Sequence, residues 1–336
     1  MTGQAKRILQ IGTGRWGMNH LRNLRALGAD LYVSDLRPEA YEKCCKSLGI
    51  PPDRFSTDHR QFLERVDAVD VVTPADSHFA LVRDALALGK DVFVEKPITL
   101  DSREAEILVA DAERGRRILQ VGYIFRFDPA AVWARDGVRE GRFGSLRMLR
   151  GRFAGFKRPR SDTGVLLADG IHFIDLLDFI LDRLPGRVQA VLRDYLGRGM
   201  DDEAWLGLDY GGGEPGTWCT IECGYHVPGK ARELVIIGSE LTAKCDFGEP
   251  RDKVTTWRNR HVLKGKEWGA EEGGEEKVSF EQREPLRDEL SAFIASIDTR
   301  EPPRADGRSG LESLRVLEAA LASAREGRAS GIGEIL

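Results

Sequence analysis

The chain has 336 residues, which is more than one ordinary hydrophobic core needs and enough for two domains. Its 41% hydrophobic and 31% charged residues are typical of a globular protein. A net charge of −4 argues against nucleic acid or an acidic membrane surface as the main partner. Because we find no signal peptide and no apolar run of membrane-spanning length, we expect a cytoplasmic protein.

Cysteine and histidine spacing gives no sign of a disulfide framework or a metal site. The 5 cysteines are odd in number and include no CxxC pair, and the 6 histidines show no HExxH-like spacing. No metal is therefore predicted. We expect reduced, mostly buried thiols at Cys44, Cys45, Cys219, Cys223 and Cys245.

In the first third of the chain, short apolar runs alternate with helical patterns, which is typical of βαβ units on a parallel sheet. Strands are predicted at 7–11, 30–34, 68–73, 91–94 and 118–122. Helices are predicted at 16–27, 38–48, 77–88 and 102–114. Residues 1–122 are therefore expected to form an α/β domain with a parallel sheet.

Beyond Gly122, strand-like runs follow one another without helices between them, which predicts a mostly antiparallel, open sheet. These runs lie at 146–153, 188–195, 204–210, 217–225, 233–237 and 241–247, with a hairpin turn at 211–213. Helices are predicted at 171–181, 285–297 and 309–324, and an exposed loop at 265–277. Residues 123–336 are expected to form an α+β domain.

The segment from Gly12 to Gly17 reads GTGRWG, a GxGxxG pattern between a predicted strand and a predicted helix. In this context Gly12 permits a tight turn, Gly14 lets the backbone approach a pyrophosphate, and Gly17 lets helix and strand pack closely. The dipole and N–H groups of the helix start favour phosphates. This predicts a Rossmann dinucleotide site. Its loop residues are Gly12, Thr13, Gly14, Arg15, Trp16 and Gly17.

Asp35 ends the second predicted strand, about twenty residues beyond the glycine loop, where a carboxylate can bind the ribose hydroxyls of adenosine. Since a 2′-phosphate would be repelled there, NAD is predicted over NADP. Arg37 keeps NADP open, because its guanidinium can pair with that phosphate or stack on the adenine.

Four further segments belong with this site: VVTPADSH at 71–78, GKDVFVEKP at 89–97, GYIFRFDP at 122–129 and GVLLADGIHFID at 164–175. With the glycine loop and His20, they resemble the Gfo/Idh/MocA oxidoreductases, named for glucose–fructose oxidoreductase and inositol dehydrogenase. The resemblance implies a second domain for substrate binding and oligomerisation. It adds these residues to the cofactor site: Thr73, Pro74, His78, Glu95 and Lys96.

Lys96 lies at the carboxyl end of a predicted parallel strand, where ligands bind such sheets. Oxidation of a secondary alcohol needs a base for the hydroxyl proton while the hydride leaves. A lysine serves if desolvation and the nearby positive nicotinamide lower its pKa. Pro97 restricts the backbone of Lys96 and can hold the bond between them cis. The resemblance implies that Lys96 is the catalytic lysine and that Glu95 contacts the nicotinamide ribose.

His172 is the second catalytic candidate, as a proton relay or a partner of a substrate hydroxyl. Its periodicity also fits a solvated stripe, and the resemblance favours function. The family motif has an acidic residue four positions earlier, where this chain has Ala168. Either Asp169 reaches in from a shifted backbone, with Gly170 giving the freedom, or no aspartate serves.

Tyr123 and Arg126 follow the last strand of the first domain and are candidates for substrate binding, or equally for packing at the domain junction. Three arginines shortly before the His172 helix favour an anionic substrate such as a nucleotide sugar. They are Arg152, Arg158 and Arg160.

These residues predict an NAD(P)-dependent oxidoreductase that interconverts a secondary alcohol and a ketone on a sugar, cyclitol or nucleotide sugar. Two alternatives stay open: an NAD-dependent glycoside hydrolase of the same family, and a non-catalytic NAD-binding protein. The expected partner is a sugar-like small molecule, with no nucleic acid and no membrane. By resemblance, we expect a homodimer or homotetramer that pairs through the exposed face of the second sheet.

Overall fold

The computed structural model describes residues 5–211 and 216–334, and the chain forms two compact units. The first unit comprises the chain up to Phe127 together with Glu284–Leu314. The second comprises Asp128–Arg283 and the chain from Arg315 onward. The division of function after Gly122 stays a prediction.

The helices and strands follow one another in chain order. The strands are β1 (Arg7–Ile11), β2 (Asp30–Ser34), β3 (Phe55–Ser56), β4 (Ala68–Val71), β5 (Asp91–Glu95), β6 (Leu119–Gly122), β7 (Leu146–Gly155), β8 (Arg187–Arg193), β9 (Glu203–Asp209), β10 (Trp218–Gly224), β11 (Lys230–Gly238), β12 (Thr242–Asp246), β13 (Val254–Trp257), β14 (Arg260–Lys264), β15 (Glu267–Glu271), β16 (Glu275–Val278) and β17 (Ser330–Gly331). The α-helices are α1 (Arg15–Ala26), α2 (Arg60–Leu63), α3 (His78–Ala87), α4 (Ser102–Gly115), α5 (Pro129–Arg139), α6 (Ile171–Leu181), α7 (Pro285–Thr299) and α8 (Gly307–Glu326).

The first unit is built on a parallel sheet of 6 strands in the order β3-β2-β1-β4-β5-β6. This is the Rossmann order, which reverses between β1 and β4 and opens a ligand crevice at their carboxyl ends. The apolar core joins Ile8 and Phe93 of the sheet to Leu21 of α1 and Phe293 of α7. This contact explains why the late helix α7 belongs to the first unit.

The second unit is built on a sheet of 9 strands in the order β16-β13-β12-β11-β7-β10-β9-β8-β17. Among the strands that the structure describes in this sheet, the β7–β10 pair is parallel and the other pairs are antiparallel, so the predicted, mostly antiparallel sheet is confirmed. Helix α6 is buried on all sides, since every one of its residues but His172 is buried. It therefore holds His172 in a rigid frame.

Several sequence predictions are wrong in detail. The loop predicted at 265–277 contains β15 and β16, whose exposed charged residues conceal the strand pattern. The helix predicted at 38–48 is instead a π-helical turn, Tyr41–Cys45, followed by a 3₁₀ turn. Helix α5 was not predicted. The hairpin predicted at 211–213 lies outside the described residues beyond Gly211.

Candidate functional site

The glycine loop makes the turn between β1 and α1. Gly12 has a φ of +97°, and a Cβ there would lie 2.4 Å from the backbone oxygen of Val72. A Cβ at Gly17 would lie 2.4 Å from the backbone oxygen of Gly12. At Gly14 a Cβ would meet nothing within 4 Å, so the middle of the loop is open to a ligand. The loop is therefore closed where it packs and open where a pyrophosphate is predicted.

Helix α1 begins at Arg15 and presents its positive end to that opening. Gly14 is the N-cap and gives no side-chain hydrogen bond, and no acidic residue lies in the first turn. The N–H groups of this turn can therefore bind an anion. Trp16, in the same turn, is 40% exposed. These residues fit the pyrophosphate of a dinucleotide.

Asp35 follows β2 and is almost fully buried beside the loop. Its Oδ2 accepts hydrogen bonds from the backbone N–H and the hydroxyl of Thr13, at 2.9 and 2.5 Å. Arg37 donates from its backbone N–H and its guanidinium to the same carboxylate. Burial alone would raise the pKa of Asp35, but the hydrogen bonds from Arg37 and Thr13 outweigh it and hold that pKa well below its usual value. The carboxylate is therefore ionised at the strand end.

Glu95, the last residue of β5, is tied to the first turns of α1. The Nε1–H of Trp16 donates to its Oε1 at 2.7 Å, and Nε2 of His20 lies 3.1 Å from the same oxygen. The backbone N–H of Lys96 donates to Oε2 at 3.2 Å. A Cβ at Gly122 would lie 2.7 Å from Oε1, so the neighbouring strand β6 leaves the carboxylate room only because it has glycine there.

His20 is a buried cation between two carboxylates. Its Nδ1 lies 3.1 Å from Oδ2 of Asp70 while its Nε2 faces Glu95, so each ring nitrogen has a carboxylate to which it can donate. Burial alone would lower the pKa of His20, but Asp70 and Glu95 outweigh burial and raise it to about 10. The imidazolium in turn holds the pKa of Glu95 below its usual value, against the effect of burial. Glu95 is therefore a fixed anion at the edge of the crevice.

Lys96 lies directly after β5, at the carboxyl end of the sheet, and its bond to Pro97 is cis. His78 is buried behind this turn, with Nδ1 2.8 Å from the backbone oxygen of Pro97 and Nε2 3.0 Å from that of Thr73. Burial lowers the pKa of His78. These contacts make His78 a link between the loops after β4 and β5. Pro74, beside it, accepts hydrogen bonds from Ser77.

Tyr123 and Arg126 are both buried after β6. Nη1 of Arg126 donates to the backbone oxygen of Arg304 and to the Ser309 hydroxyl, at 2.8 and 3.1 Å. Arg304 in turn donates to the backbone oxygen of Arg126 at 2.9 Å. The contacts of Arg126 thus join β6 to the start of α8 inside the first unit. The role of Tyr123 and Arg126 in substrate binding stays a prediction.

In the second unit, His172 and Asp169 meet around one aromatic ring. The His172 ring stacks on Phe153, with centroids 6.0 Å apart and planes 13° apart. The Lys157 ammonium lies 4.9 Å from the centre of the same Phe153 ring and 5.2 Å from that of Tyr225. Nζ of Lys157 donates to Oδ2 of Asp169 at 2.6 Å. Asp169 therefore reaches the surroundings of His172 through Lys157.

Asp169 lies in a wide turn of the backbone, since Leu166–Gly170 is π-helical and runs directly into α6. The expected reason, freedom at Gly170, is wrong, because Gly170 has ordinary helical angles of φ −61° and ψ −36°. Instead, a Cβ there would lie 2.7 Å from Cδ1 of Leu166 and 3.2 Å from Sγ of Cys223. Gly170 thus allows the turn to pack closely on β10.

Two of the three arginines that were predicted to favour an anionic substrate form ion pairs with carboxylates, so their charge is partly neutralised. Nε of Arg152 lies 3.1 Å from Oε1 of Glu222, and Nη2 of Arg160 lies 2.7 Å from Oδ2 of Asp162.

Among residues 5–211 and 216–334, no cluster of three or more His, Cys, Asp or Glu side chains is arranged to hold a metal ion. In the same ranges no helix has the length and hydropathy to span a bilayer.

Comparison with known families identifies both halves of the chain. The family model described as an oxidoreductase family with an NAD-binding Rossmann fold matches residues 6–123. The model for the C-terminal alpha/beta domain of that family matches residues 135–332. The chain belongs to the Gfo/Idh/MocA oxidoreductase family. It is an NAD-binding oxidoreductase.

Individual relatives of this Gfo/Idh/MocA chain are similar over nearly their full length. UDP-N-acetylglucosamine 3-dehydrogenase of Acidithiobacillus ferrooxidans is 29% identical over 93% of this chain and 94% of its own. A solved structure of that enzyme has a TM-score of 0.83 at 26% identity, covering 96% and 99% of the two chains. Myo-inositol 2-dehydrogenase of Thermotoga maritima is 26% identical over 98% of this chain and 99% of its own.

Three residues beside the candidate site residues were not predicted from the sequence. Gln10, fully buried on β1, donates from Nε2 to the backbone oxygens of Gly12 and Gly17, each at 2.8 Å, and so braces the loop. Lys157 lies in an arginine-rich stretch and was not predicted as a site residue. The Tyr225 hydroxyl is buried and has no hydrogen-bond partner among the described residues. Gln10 could have been found from the sequence, because it is a polar residue in an otherwise apolar part of β1.

Proposed function

We propose that this chain is an NAD-dependent dehydrogenase that interconverts a secondary alcohol and a ketone on a sugar, cyclitol or nucleotide sugar. The relatives support this substrate class, since their names include a UDP-N-acetylglucosamine 3-dehydrogenase, inositol 2-dehydrogenases and a D-apiose dehydrogenase. Bound NAD supplies the hydride acceptor. The protein's own residues must bind the alcohol, orient it and take its proton.

The contact between Lys96 and Glu95 carries the proposal. Lys96 follows strand β5, and its backbone N–H binds the Glu95 carboxylate that Trp16 and His20 hold from α1. The backbone of Lys96 is thus linked through Glu95 to the helix whose start faces the predicted pyrophosphate site. We propose that its amine takes the hydroxyl proton in oxidation and returns it in reduction. Glu95 would accept a hydrogen bond from the nicotinamide ribose.

We propose that the second unit supplies the substrate partners. His172 and Asp169 would orient or relay the proton of a substrate hydroxyl, with Lys157 fixing Asp169. The Tyr225 hydroxyl, which lacks a partner among the described residues, would gain one from a substrate hydroxyl. This arrangement favours a polyhydroxylated ligand, because it offers several groups that bind hydroxyls.

The test combines turnover with binding. NADH formation is measured on free sugars, inositols and UDP-sugars, and NAD binding by isothermal titration calorimetry. Lys96→Met should lower kcat by at least about 1,000-fold on the active substrate while NAD affinity changes little. Asp169→Asn should lower kcat by about tenfold or more, whereas Asp162→Asn, an exposed acid of the same region, should not.

Activity on no member of the panel, or full turnover in Lys96→Met, would contradict the dehydrogenase proposal. Full turnover in Asp169→Asn would remove Asp169 alone from the proposed site. Activity only on neutral free sugars would exclude the anionic substrate.

We also propose a dinucleotide-binding domain at 1–122, a substrate and oligomerisation domain at 123–336, and a homodimer or homotetramer. Three large side chains are 40–41% exposed on neighbouring strands of the second sheet, namely Val191, Trp205 and Trp218. A second copy would cover them. The free, buried thiols of Cys219, Cys223 and Cys245 support a cytoplasmic location, and the side chains of Cys44 and Cys45 lie outside the described part of the chain.

A further inference from the structure

The Glu95 carboxylate has three donors from the protein and one acceptor position left. Its Oε1 accepts from the Trp16 indole at 2.7 Å and faces Nε2 of His20 at 3.1 Å. Among the described residues, its Oε2 accepts from the backbone N–H of Lys96 alone, at 3.2 Å. An ionised carboxylate offers about four acceptor positions. One position of Oε2 therefore remains for a ligand hydroxyl at the end of β5.

His20 lies behind Glu95 and has no access of its own to a ligand. Its side chain is 0% exposed, and its Nδ1 lies 3.1 Å from Oδ2 of Asp70, which is equally buried. The Phe93 ring packs edge-on against the imidazole, with centroids 5.4 Å apart. Any effect of His20 on a bound cofactor must therefore pass through Glu95.

Without the His20 cation, Glu95 and Asp70 would be two buried carboxylates facing the same space. The titratable groups around Glu95 are His20 on α1, Asp70 on β4, His78 on α3 and Lys96 directly after β5. Burial alone would raise the pKa of Glu95, but the hydrogen bond and the charge of His20 are the largest opposing effects and that pKa lies below its usual value. An ionised acceptor also binds a hydroxyl more strongly than a neutral one.

We infer that His20 is a positioning residue for the cofactor: as a buried cation it turns Oε1 of Glu95 toward α1 and keeps Oε2 as a charged acceptor for a ribose hydroxyl of the dinucleotide. This inference rests on the proposed place of Glu95 at the nicotinamide ribose. Asp70 holds the far side of the imidazole, so the Asp70–His20 pair acts on the strand end and not on the ligand. Removal of the cation should therefore make NAD binding depend on pH.

Calorimetric titration of NAD into the full-length protein at a series of pH values, without substrate, tests this role. In the unchanged chain, NAD affinity should differ by less than about twofold between about pH 8 and about pH 6, because Glu95 stays ionised. His20→Gln/Asp70→Asn replaces the buried ion pair by two neutral amides, so Glu95 loses its cation. The NAD affinity of this variant should fall at least about fivefold from about pH 8 to about pH 6, as Glu95 takes up a proton.

Two further variants complete the test. His59→Gln/Asp84→Asn is the matched control, because it removes another histidine–carboxylate pair of the first unit, with Nε2 of His59 3.4 Å from Oδ2 of Asp84. It should follow the unchanged chain within about twofold at each pH. Glu95→Gln leaves the Asp70–His20 pair in place and should bind NAD at least about fivefold more weakly across the series, because its amide is a neutral acceptor.

A His20→Gln/Asp70→Asn protein that is folded by circular dichroism and follows the unchanged chain at every pH would overturn the positioning role, and the proposed function would stand. Undiminished NAD affinity in Glu95→Gln would also overturn it, even if the double variant did not fold, and would remove Glu95 from the proposed site. If the unchanged chain bound no NAD, the proposed function itself would fall. The titrations therefore distinguish these failures.

Discussion

His20 keeps a positive charge in the interior of the first unit, and the contribution of this charge to the free energy of unfolding depends on pH. The groups facing it are Asp70 on β4, Glu95 on β5 and the Trp16 indole on α1, with the Phe93 ring edge alongside. Its pKa rises from 6.5 in the unfolded chain to about 10 in the folded one. The stabilisation is therefore complete below pH 6.5 and is lost as the pH rises toward about 10.

We expect the free energy of unfolding to fall over that interval, with His20 contributing a slope of up to about 1.4 kcal/mol per pH unit. Urea unfolding at a series of pH values between neutral and mildly alkaline measures this slope. His20→Gln should be less stable at neutral pH, because it leaves Asp70 buried without its cation. The variant should also show a flatter pH dependence. Parallel curves for the two proteins would show that His20 is neutral in the folded state.

Within the glycine loop, we expect Gly17 to be needed for folding and Gly14 for cofactor binding. Gly17→Ala places a Cβ 2.4 Å from a backbone oxygen, whereas Gly14→Ala places it in open space. We expect Gly17→Ala to lower the free energy of unfolding by more than about 2 kcal/mol. Gly14→Ala should cost less than about 1 kcal/mol but weaken NAD binding by about tenfold, because the methyl group occupies the approach of the pyrophosphate.

Urea unfolding and NAD calorimetry on the two variants check this difference. Equal losses of stability would mean that Gly14 is as closely packed as Gly17. Undiminished NAD affinity in Gly14→Ala would place the pyrophosphate elsewhere.

Several elements that bury many apolar residues were predictable from the sequence. The bounds of β1, β2 and α6 agree with the predicted 7–11, 30–34 and 171–181, because each segment is rich in apolar residues that become buried. Strands β14, β15 and β16 were not predicted, since most of their residues are exposed and charged. Their pairing is a tertiary property that leaves no periodic signal.

The candidate site was predictable in its residue types and less so in its contacts. The glycine pattern and the Glu-Lys-Pro element located the strand ends correctly. The sequence predicts Asp35 as a ribose ligand, which stays a prediction, but it does not reveal that the Arg37 guanidinium binds the Asp35 carboxylate. Likewise, the Lys157–Asp169 pair joins a strand end to a helix start, a distance that spacing along the chain does not encode.

For the whole molecule, the exposed face of the second sheet bears on assembly. Trp205 on β9 and Val191 on β8 are cross-strand neighbours, and the Trp218 ring of β10 lies over Gly207 of β9. We expect Trp205→Lys to shift the protein to a smaller species in analytical ultracentrifugation, since a charge at the centre of an apolar interface opposes association. Trp268→Lys, on the exposed β14–β15 hairpin, is the control and should leave assembly unchanged. An assembly unaltered by Trp205→Lys would exclude this face.

The place of α7 in the first unit also has a consequence for biosynthesis. Phe293 meets Phe93 with ring centroids 5.7 Å apart, and Leu286 and Leu290 complete the same core. A ribosome makes β1 to β6 long before it reaches this helix, so the nascent sheet emerges with part of its apolar surface uncovered. We therefore expect the core of the first unit to be completed only after translation has passed α7.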